Sequence, residues 1–206
     1  MKKDVVVLGK GNLAVHVAKY FHEKSDDYRL VCVVPNDDEP AWAGAKLADY
    51  AYFRDIPCVT VNDITNIDIA FSIYHDRILK KDFIDRCGRI FNLHNGPLPR
   101  YRGVRPVNWA LKNGENEHGV TIHEISPGID DGPIIAQVKF SIYPEIDEVW
   151  DVYLRCLAFG KQLFDSTIER LNDIIPRPQD HGQATIYYSK QNHLLGDRTD
   201  WRRWVQ

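Results

Sequence analysis

Hydrophobic residues along this chain recur at two spacings, one typical of strands and the other of helices. An apolar run at Asp4–Leu8 predicts a buried strand, and apolar positions every three or four residues predict a helix over residues 13–24. The same criteria predict further strands at residues 29–34, 58–61, 68–73, 91–94, 119–125, 134–142 and 186–189, and further helices at residues 43–52, 81–87, 107–113 and 147–171. Because this alternation is typical of βαβ units, we predict an α/β fold with a mostly parallel, twisted sheet flanked by helices.

The periodic pattern ends near Pro176 and Pro178. We therefore predict one main domain in residues 1–175 and a C-terminal extension in residues 176–206, which packs on that domain or on a partner subunit. The composition, 44% hydrophobic and 27% charged, is ordinary for a globular protein with one core.

Two polar side chains share one face of the predicted strand 91–94. Residues two apart on a strand point the same way, so Asn92 and His94 lie on one surface, and the glycine and prolines after them end the strand. The later strand 119–125 leads into an acidic turn that contains Asp130 and Asp131. If the two strands are neighbours, one of these carboxylates reaches His94.

Such a trio has a definite chemical use. An imidazole can take a proton from an amine, an amide N–H can hold a developing oxyanion, and a carboxylate can support the imidazolium. These are the groups that acyl transfer to an amine requires. The residues also fit a core histidine beside an ordinary asparagine-containing turn, and this alternative stays open.

The ordered motifs in this region resemble one family. Asn92-x-His94, the turn at Leu98-Pro99 with Gly103, the strand start Gly119-Val120-Thr121, and the run Ile129–Ile135 are similar to the 10-formyltetrahydrofolate-dependent formyltransferases. The resemblance implies a Rossmann-like formyltransferase fold, 10-formyltetrahydrofolate as formyl donor, and Asn92, His94 and Asp130 as catalytic residues. One departure is Asn95, because many members have serine after the histidine.

The resemblance also implies a place for the folate beside these residues. The segment before the catalytic strand provides backbone groups and apolar side chains suited to a pterin ring, and a second wall comes from the turn that leads to Asp130. The candidate folate contacts are Tyr74, Arg77, Ile78, Leu79, Ile84, Pro127 and Ile129. Ile78 and Leu79 would equally suit a helix start that packs into a core.

The first strand is followed by Gly9-Lys10-Gly11-Asn12-Leu13-Ala14, which satisfies the dinucleotide pattern G-x-G-x-x-A. Three interpretations are open: a nicotinamide site, an anion site for an acceptor phosphate with Lys10 and Asn12 nearby, or a tight turn without a ligand. A nicotinamide-dependent oxidoreductase is thus a remote alternative, as is a nucleotide-binding protein without catalytic activity.

The acceptor amine is predicted from the segment after the catalytic strand. Residues 101–109 resemble the amino-sugar branch of the family, so we expect a nucleotide-linked amino sugar, with Arg102 and Arg105 as candidate diphosphate ligands. Glycinamide ribonucleotide is the alternative acceptor. Methionyl-tRNA formyltransferases carry an additional C-terminal domain for tRNA, for which 206 residues leave no room.

Charge and cysteine spacing narrow the partners and the compartment. A formal net charge of −3 gives no overall attraction to nucleic acid, and the first apolar strand is too short for a signal peptide or membrane span. The chain has four cysteines, at Cys32, Cys58, Cys87 and Cys156. Their spacing is typical of neither a metal site nor a disulfide pair, so we expect reduced thiols, no metal and a cytoplasmic protein. The expected partner is a small-molecule substrate; a homodimer is a weaker expectation.

Overall fold

The computed structural model describes residues 2–23 and 26–199. The chain forms two units, residues 1–93 and 94–206. Two predicted features extend outside the described residues: the end of the first helix at Lys24, and residues 200–206 of the C-terminal extension.

The first unit is built on four parallel strands in the order β2-β1-β3-β4. These strands are β1 (Lys3–Gly9), β2 (Tyr28–Pro35), β3 (Ile67–Ile73) and β4 (Cys87–His94). The helices are α1 (Gly11–Glu23), α2 (Leu47–Tyr52) and α3 (Lys81–Ile84). Val5 to Leu8 of β1 are fully buried, as expected for a parallel strand covered on both faces.

The second unit begins at His94, the last residue of β4, and contains two strand pairs. The pair β6 (Glu117–Glu124) and β7 (Ile134–Ser141) is antiparallel, whereas β5 (Arg102–Gly103) and β8 (Ile186–Tyr187) are parallel. The helices are α4 (Pro106–Lys112) and α5 (Val149–Ile168). The predicted fold class is confirmed: the strands form a mostly parallel sheet flanked by helices.

Several predicted elements were wrong in extent. The predicted helix 43–52 is interrupted because Gly44 has φ +84°, and α2 starts only at Leu47. The predicted strand 58–61 is reduced to a single bridge between Val33 and Cys58, followed by a 3₁₀ turn at Val61–Asp63. The predicted helix 81–87 stops at Ile84, because Cys87 already pairs with β3.

The C-terminal part of the second unit is more regular than its sequence suggests. The predicted strand 186–189 is only the two-residue β8, and residues from Ser189 form 3₁₀ structure instead of an irregular segment. Its partner β5 was not predicted, because two residues are too few to show a periodic pattern. Residues 177–187 bring this segment to β5 and to the start of β7 through pairings at Arg102, Gly103 and Ile134.

Candidate active site

His94 lies at the end of β4 and is held between two partners. The ring is 7% exposed; its Nε2 donates a hydrogen bond to the Tyr101 carbonyl over 2.7 Å, and Nδ1 lies 3.6 Å from Asp130 Oδ2. Because the Tyr101 carbonyl can only accept, the neutral ring keeps its proton on Nε2. Nδ1 is then the nitrogen that can take up a proton beside a carboxylate.

Asp130 occupies the turn between β6 and β7 in a left-handed backbone conformation, φ +47°. Its Oδ2 accepts a 2.8 Å hydrogen bond from the Gly103 N–H. The neighbouring Asp131 instead accepts a short hydrogen bond from the Ser126 hydroxyl. Of the two carboxylates that the sequence offered, Asp130 is therefore the one beside His94.

A second imidazole flanks the same carboxylate. His123 on β6 places Nε2 3.4 Å from Asp130 Oδ1, and its Nδ1 donates to the Glu124 carbonyl over 2.8 Å. The His94 and His123 rings are 6.3 Å apart between centroids, at an interplanar angle of 82°. No sequence pattern indicated a role for His123, although alternation along β6 puts it two residues from Thr121, on the same face.

The electrostatics of this cluster follow from burial and from the facing charges. Burial lowers the pKa of His94, an effect that the Asp130 carboxylate opposes only in part. Burial alone would raise the pKa of Asp130, but His94, His123 and the Gly103 N–H together bring it well below its usual range. At neutral pH the pair is therefore a carboxylate beside an uncharged imidazole that can accept a proton.

The turn after His94 is fixed by Thr121 of β6. Its hydroxyl donates to the Gly96 carbonyl over 2.7 Å and accepts from the Leu98 N–H over 3.2 Å. Gly96 itself packs on the His94 ring, since a Cβ there would lie 2.6 Å from His94 Nε2. A larger residue at position 96 would therefore clash with the His94 ring.

The Tyr101 carbonyl accepts the hydrogen bond from His94 Nε2, and Tyr101 is itself held in place by its neighbours. It has φ +62°, its hydroxyl donates to Glu115 over 2.6 Å, and its ring stacks on Tyr187 of β8 at 5.7 Å between centroids. The backbone N–H donates to the Thr185 hydroxyl over 2.8 Å. These contacts hold the carbonyl in one place, and no sequence pattern in the 101–109 segment indicated this.

The two arginines predicted to hold a diphosphate have different environments. Arg102 is 7% exposed; its guanidinium donates to the Gln179 side-chain oxygen over 2.7 and 3.1 Å and lies 3.4 Å from His181 Nδ1. Arg105 is half-buried and precedes α4 with φ +54°. Among the described residues, the partners given for the Arg102 guanidinium are Gln179 and His181, and none is a carboxylate.

The residues predicted at the first glycine turn are engaged within the first unit. Lys10 forms a 2.7 Å ion pair with Asp76, and the Asn12 side-chain oxygen accepts from the Ala45 N–H over 2.8 Å. The Glu39 carboxylate accepts from the Leu47 N–H over 2.8 Å and lies 3.5 Å from the Gly11 nitrogen. A carboxylate of the chain itself thus lies at the start of α1.

The candidate folate residues of the first unit follow β3. Tyr74 has φ +55°, Arg77 pairs with Asp37, and Ile78 is 82% exposed; Leu79 and Ile84 are half-buried. The predicted alternative that Ile78 packs into a core is wrong, because its side chain faces solvent.

In the second unit, the turn before Asp130 exposes the other two candidate folate contacts, Pro127 and Ile129. Ile129 is 37% exposed. An apolar side chain held in the open beside the candidate catalytic carboxylate is suited to contact a ligand ring.

Within residues 2–23 and 26–199, no group of three or more His, Cys, Asp or Glu side chains is arranged to hold a metal ion. No helix in that part of the chain has the length and apolar character to cross a membrane.

Comparison with known proteins matches this geometry to one family. A family model described as formyl transferase matches residues 55–168, which include the His94–Asp130 pair and β4 to β7. The chain belongs to the formyl transferase family, and the resemblance found in the sequence is confirmed.

Three relatives illustrate the similarity. Methionyl-tRNA formyltransferase of Fervidobacterium nodosum is 29% identical over 196 residues, covering 88% of this chain; the chain spans only 62% of that relative. Two solved structures are more completely covered. WlaRD, a sugar 3N-formyl transferase crystallised in the presence of dTDP and 5-N-formyl-THF, has a TM-score of 0.81 and 30% identity over 93% of this chain and 71% of its own. The N-formyltransferase from Helicobacter canadensis, in complex with folinic acid and dTDP-3-aminofucose, has a TM-score of 0.79 and 31% identity, covering 92% and 72%.

Proposed function

We propose that this protein transfers the formyl group of 10-formyltetrahydrofolate to the amine of a nucleotide-linked amino sugar. The observation that carries this proposal is the buried His94–Asp130 pair, 3.6 Å apart, in a chain of the formyl transferase family. An uncharged imidazole supported by a carboxylate is the group that amine acylation needs.

The proposed reaction begins with attack of the neutral acceptor amine on the formyl carbon, which forms a C–N bond and a tetrahedral oxyanion. The amine proton passes to His94, directly or by way of a water, and Asp130 helps to move it and stabilises the imidazolium that forms. The Asn92 amide and this imidazolium stabilise the oxyanion. Collapse breaks the bond to the folate nitrogen, which takes the proton back from His94 and leaves as tetrahydrofolate.

The donor and acceptor contacts are part of the same proposal. Exposed apolar side chains can cover a flat ring. The residues that contact the folate are Tyr74 to Leu79, Ile84, Pro127 and Ile129. Arg102 and Arg105 hold the diphosphate, with Lys10 and Asn12 as further candidates. The absence of a carboxylate partner on the buried Arg102 in the described part of the chain supports this choice.

The nucleotide-linked sugar is favoured over other acceptors by the two solved structures. One is a sugar 3N-formyl transferase at 30% identity, and the other is an N-formyltransferase at 31% identity that was solved with dTDP-3-aminofucose. A second candidate function, formylation of methionyl-tRNA, is supported by the 29% identity to the Fervidobacterium protein over 88% of this chain.

An acceptor panel tests the proposal. Purified protein is incubated with 10-formyltetrahydrofolate and one acceptor at a time: dTDP-linked 3-amino and 4-amino sugars, UDP-linked 4-amino sugars, glycinamide ribonucleotide and methionyl-tRNA. We expect tetrahydrofolate release, and a product heavier by one formyl group, with a nucleotide-linked amino sugar. Release with glycinamide ribonucleotide or methionyl-tRNA alone would contradict the proposed acceptor.

Alanine variants test the catalytic roles with the accepted sugar. Asn92→Ala, His94→Ala and Asp130→Ala should each reduce kcat by at least about 100-fold, the usual contribution of a positioned base or oxyanion donor. His193→Ala, on an exposed histidine, is the matched control and should keep full activity. Near-normal turnover by His94→Ala would contradict the mechanism.

A further inference from the structure

Gln179 joins the C-terminal segment to the candidate active site through all four hydrogen-bonding positions of its amide. The side-chain oxygen accepts from Arg102 Nε and Nη2 over 3.1 and 2.7 Å. The side-chain nitrogen donates to the carbonyls of Asp130 and Gly132 over 2.9 and 2.7 Å. Gln179 is 7% exposed, so these bonds are shielded from water.

The backbone that Gln179 holds is unfavourable by itself. Asp130 has φ +47°, a conformation that non-glycine residues rarely adopt and that persists only where the surroundings enforce it. Gly132 is fixed by packing, because a Cβ there would lie 1.9 Å from the Glu124 carbonyl. The Gln179 amide and the Gly103 N–H therefore tie the aspartate at two points, its carbonyl and its carboxylate.

Other side chains cannot replace this amide. The site needs a donor directed to two carbonyls and an acceptor directed to a buried guanidinium, and glutamine supplies both on one planar group. Glutamate retains the acceptor but presents a carboxylate to two carbonyls, and asparagine is one methylene too short to span them.

We propose that Gln179 is a positioning residue for formyl transfer: it holds Asp130 in the left-handed conformation that directs the carboxylate to His94. This inference rests on the proposed function and extends it beyond residues 55–168, since Gln179 comes from the segment after α5. The C-terminal segment is thereby part of the active site.

Gln179→Glu tests the positioning role in the full chain. The new carboxylate pairs with Arg102, which preserves the fold, but it cannot donate to the Asp130 carbonyl. We expect kcat at saturating acceptor to fall about 100-fold, the size typical of a misplaced catalytic group. Because the new carboxylate also neutralises Arg102, the proposed diphosphate ligand, KM for the acceptor should rise as well, and kcat is the readout of positioning. Gln183→Glu makes the same change at an exposed glutamine of this segment and should leave kcat unchanged.

Gln179→Asn provides a second readout without an added charge. NMR titration of the His94 ring reports its surroundings, which are Asp130, His123 and the Tyr101 carbonyl. Burial lowers the pKa of His94 and the Asp130 carboxylate raises it, so displacing the carboxylate should lower that pKa further. Gln183→Asn should leave the titration in place.

The two measurements separate this inference from the proposed function. Wild-type kcat in Gln179→Glu, or an unchanged His94 titration in Gln179→Asn, overturns the role of Gln179. If the wild-type protein formylates no acceptor, the proposed function fails, and the titration alone then decides whether Gln179 positions Asp130.

Discussion

At the scale of single residues, His94 gains its chemistry from what surrounds it. The Tyr101 carbonyl fixes the proton on Nε2, and Asp130 faces Nδ1 at 3.6 Å. Burial keeps the ring uncharged, while the carboxylate makes protonation during the reaction less costly. The environment thus favours an imidazole that is uncharged before the reaction and protonated only in the transition state.

Removal of His123 should change how the rate depends on pH. Burial is the main cause of the lowered pKa of His94, and the charge interaction with His123 lowers it further, so His123→Gln should raise this pKa and leave more of His94 protonated at mildly acidic pH. Since protonated His94 cannot accept the amine proton, the ratio of kcat/KM between wild type and variant should increase as pH falls below about 6.5. Both proteins share one acceptor, so its own ionisation cancels. A ratio that is constant between pH 5 and 8 would contradict an influence of His123 on the protonation of His94.

At the scale of elements, the short pair β5 and β8 determines where the Asp130 carboxylate is held. Gly103 of β5 donates its N–H to Asp130, has φ +87°, and lies against Tyr187 of β8. Val104 continues this pairing by donating to the Tyr187 carbonyl over 3.0 Å. Two strands of two residues thus transmit the position of the C-terminal segment to the active site.

Gly103→Ala should therefore damage both stability and catalysis. A Cβ at Gly103 would lie 2.1 Å from the Tyr187 carbonyl, which forces β5 and β8 apart and moves the N–H from Asp130. We expect a loss of about 2–4 kcal/mol in the free energy of unfolding, from the left-handed backbone and overpacking together, and at least a tenfold fall in kcat.

The matched control is Gly114→Ala. Gly114 also has a positive φ, +70°, but a Cβ there meets no atom within 4 Å. The Gly114→Ala variant should lose only about 1 kcal/mol in the free energy of unfolding and keep its activity, since the strained backbone is the single cost. Urea unfolding and steady-state kinetics on the two variants provide the comparison; equal stability losses would show that the β5–β8 contact does not matter.

At the scale of the whole molecule, buried uncharged histidines make stability depend on pH. Burial lowers the pKa of His75, His94 and His118, the last to about 4. In the unfolded chain these rings become protonated near pH 6.5, whereas in the folded protein they become protonated only at lower pH. Stability is therefore full above that pH and falls as the pH drops toward the folded pKa values.

His118→Gln isolates one contribution to this dependence. His118 is fully buried and donates to the Asn95 carbonyl over 2.9 Å, a bond that glutamine can replace. Each such histidine contributes up to about 1.4 kcal/mol per pH unit, so the slope of unfolding free energy between pH 6 and 5 should decrease by about that amount. Denaturant unfolding at each pH measures it, with the exposed His193→Gln as control. An unchanged slope in His118→Gln would show that this ring is charged in the folded protein.

Helices and strands that show a periodic pattern over neighbouring residues could be predicted from the sequence. The strand and helix spacing predicted β1, β3, β6, β7, α1, α4 and α5 close to their observed bounds. The positions of Asn92 and His94 on one strand follow from the two-residue repeat of β structure. The short β5 and β8 could not be predicted, because two residues carry no repeat and their pairing spans more than 80 positions.

The sequence by itself determined the fold class, the family and the candidate pair Asn92 and His94, because local periodicity and ordered motifs are properties of the chain. The family resemblance had already indicated Asp130 rather than Asp131. Only the tertiary structure decided that Asp130 lies 3.6 Å from His94, that His123 shares this carboxylate, and that Gln179 holds it from 49 residues away. The reason is physical: these contacts join segments that are distant in sequence, and only backbone angles and packing bring them together.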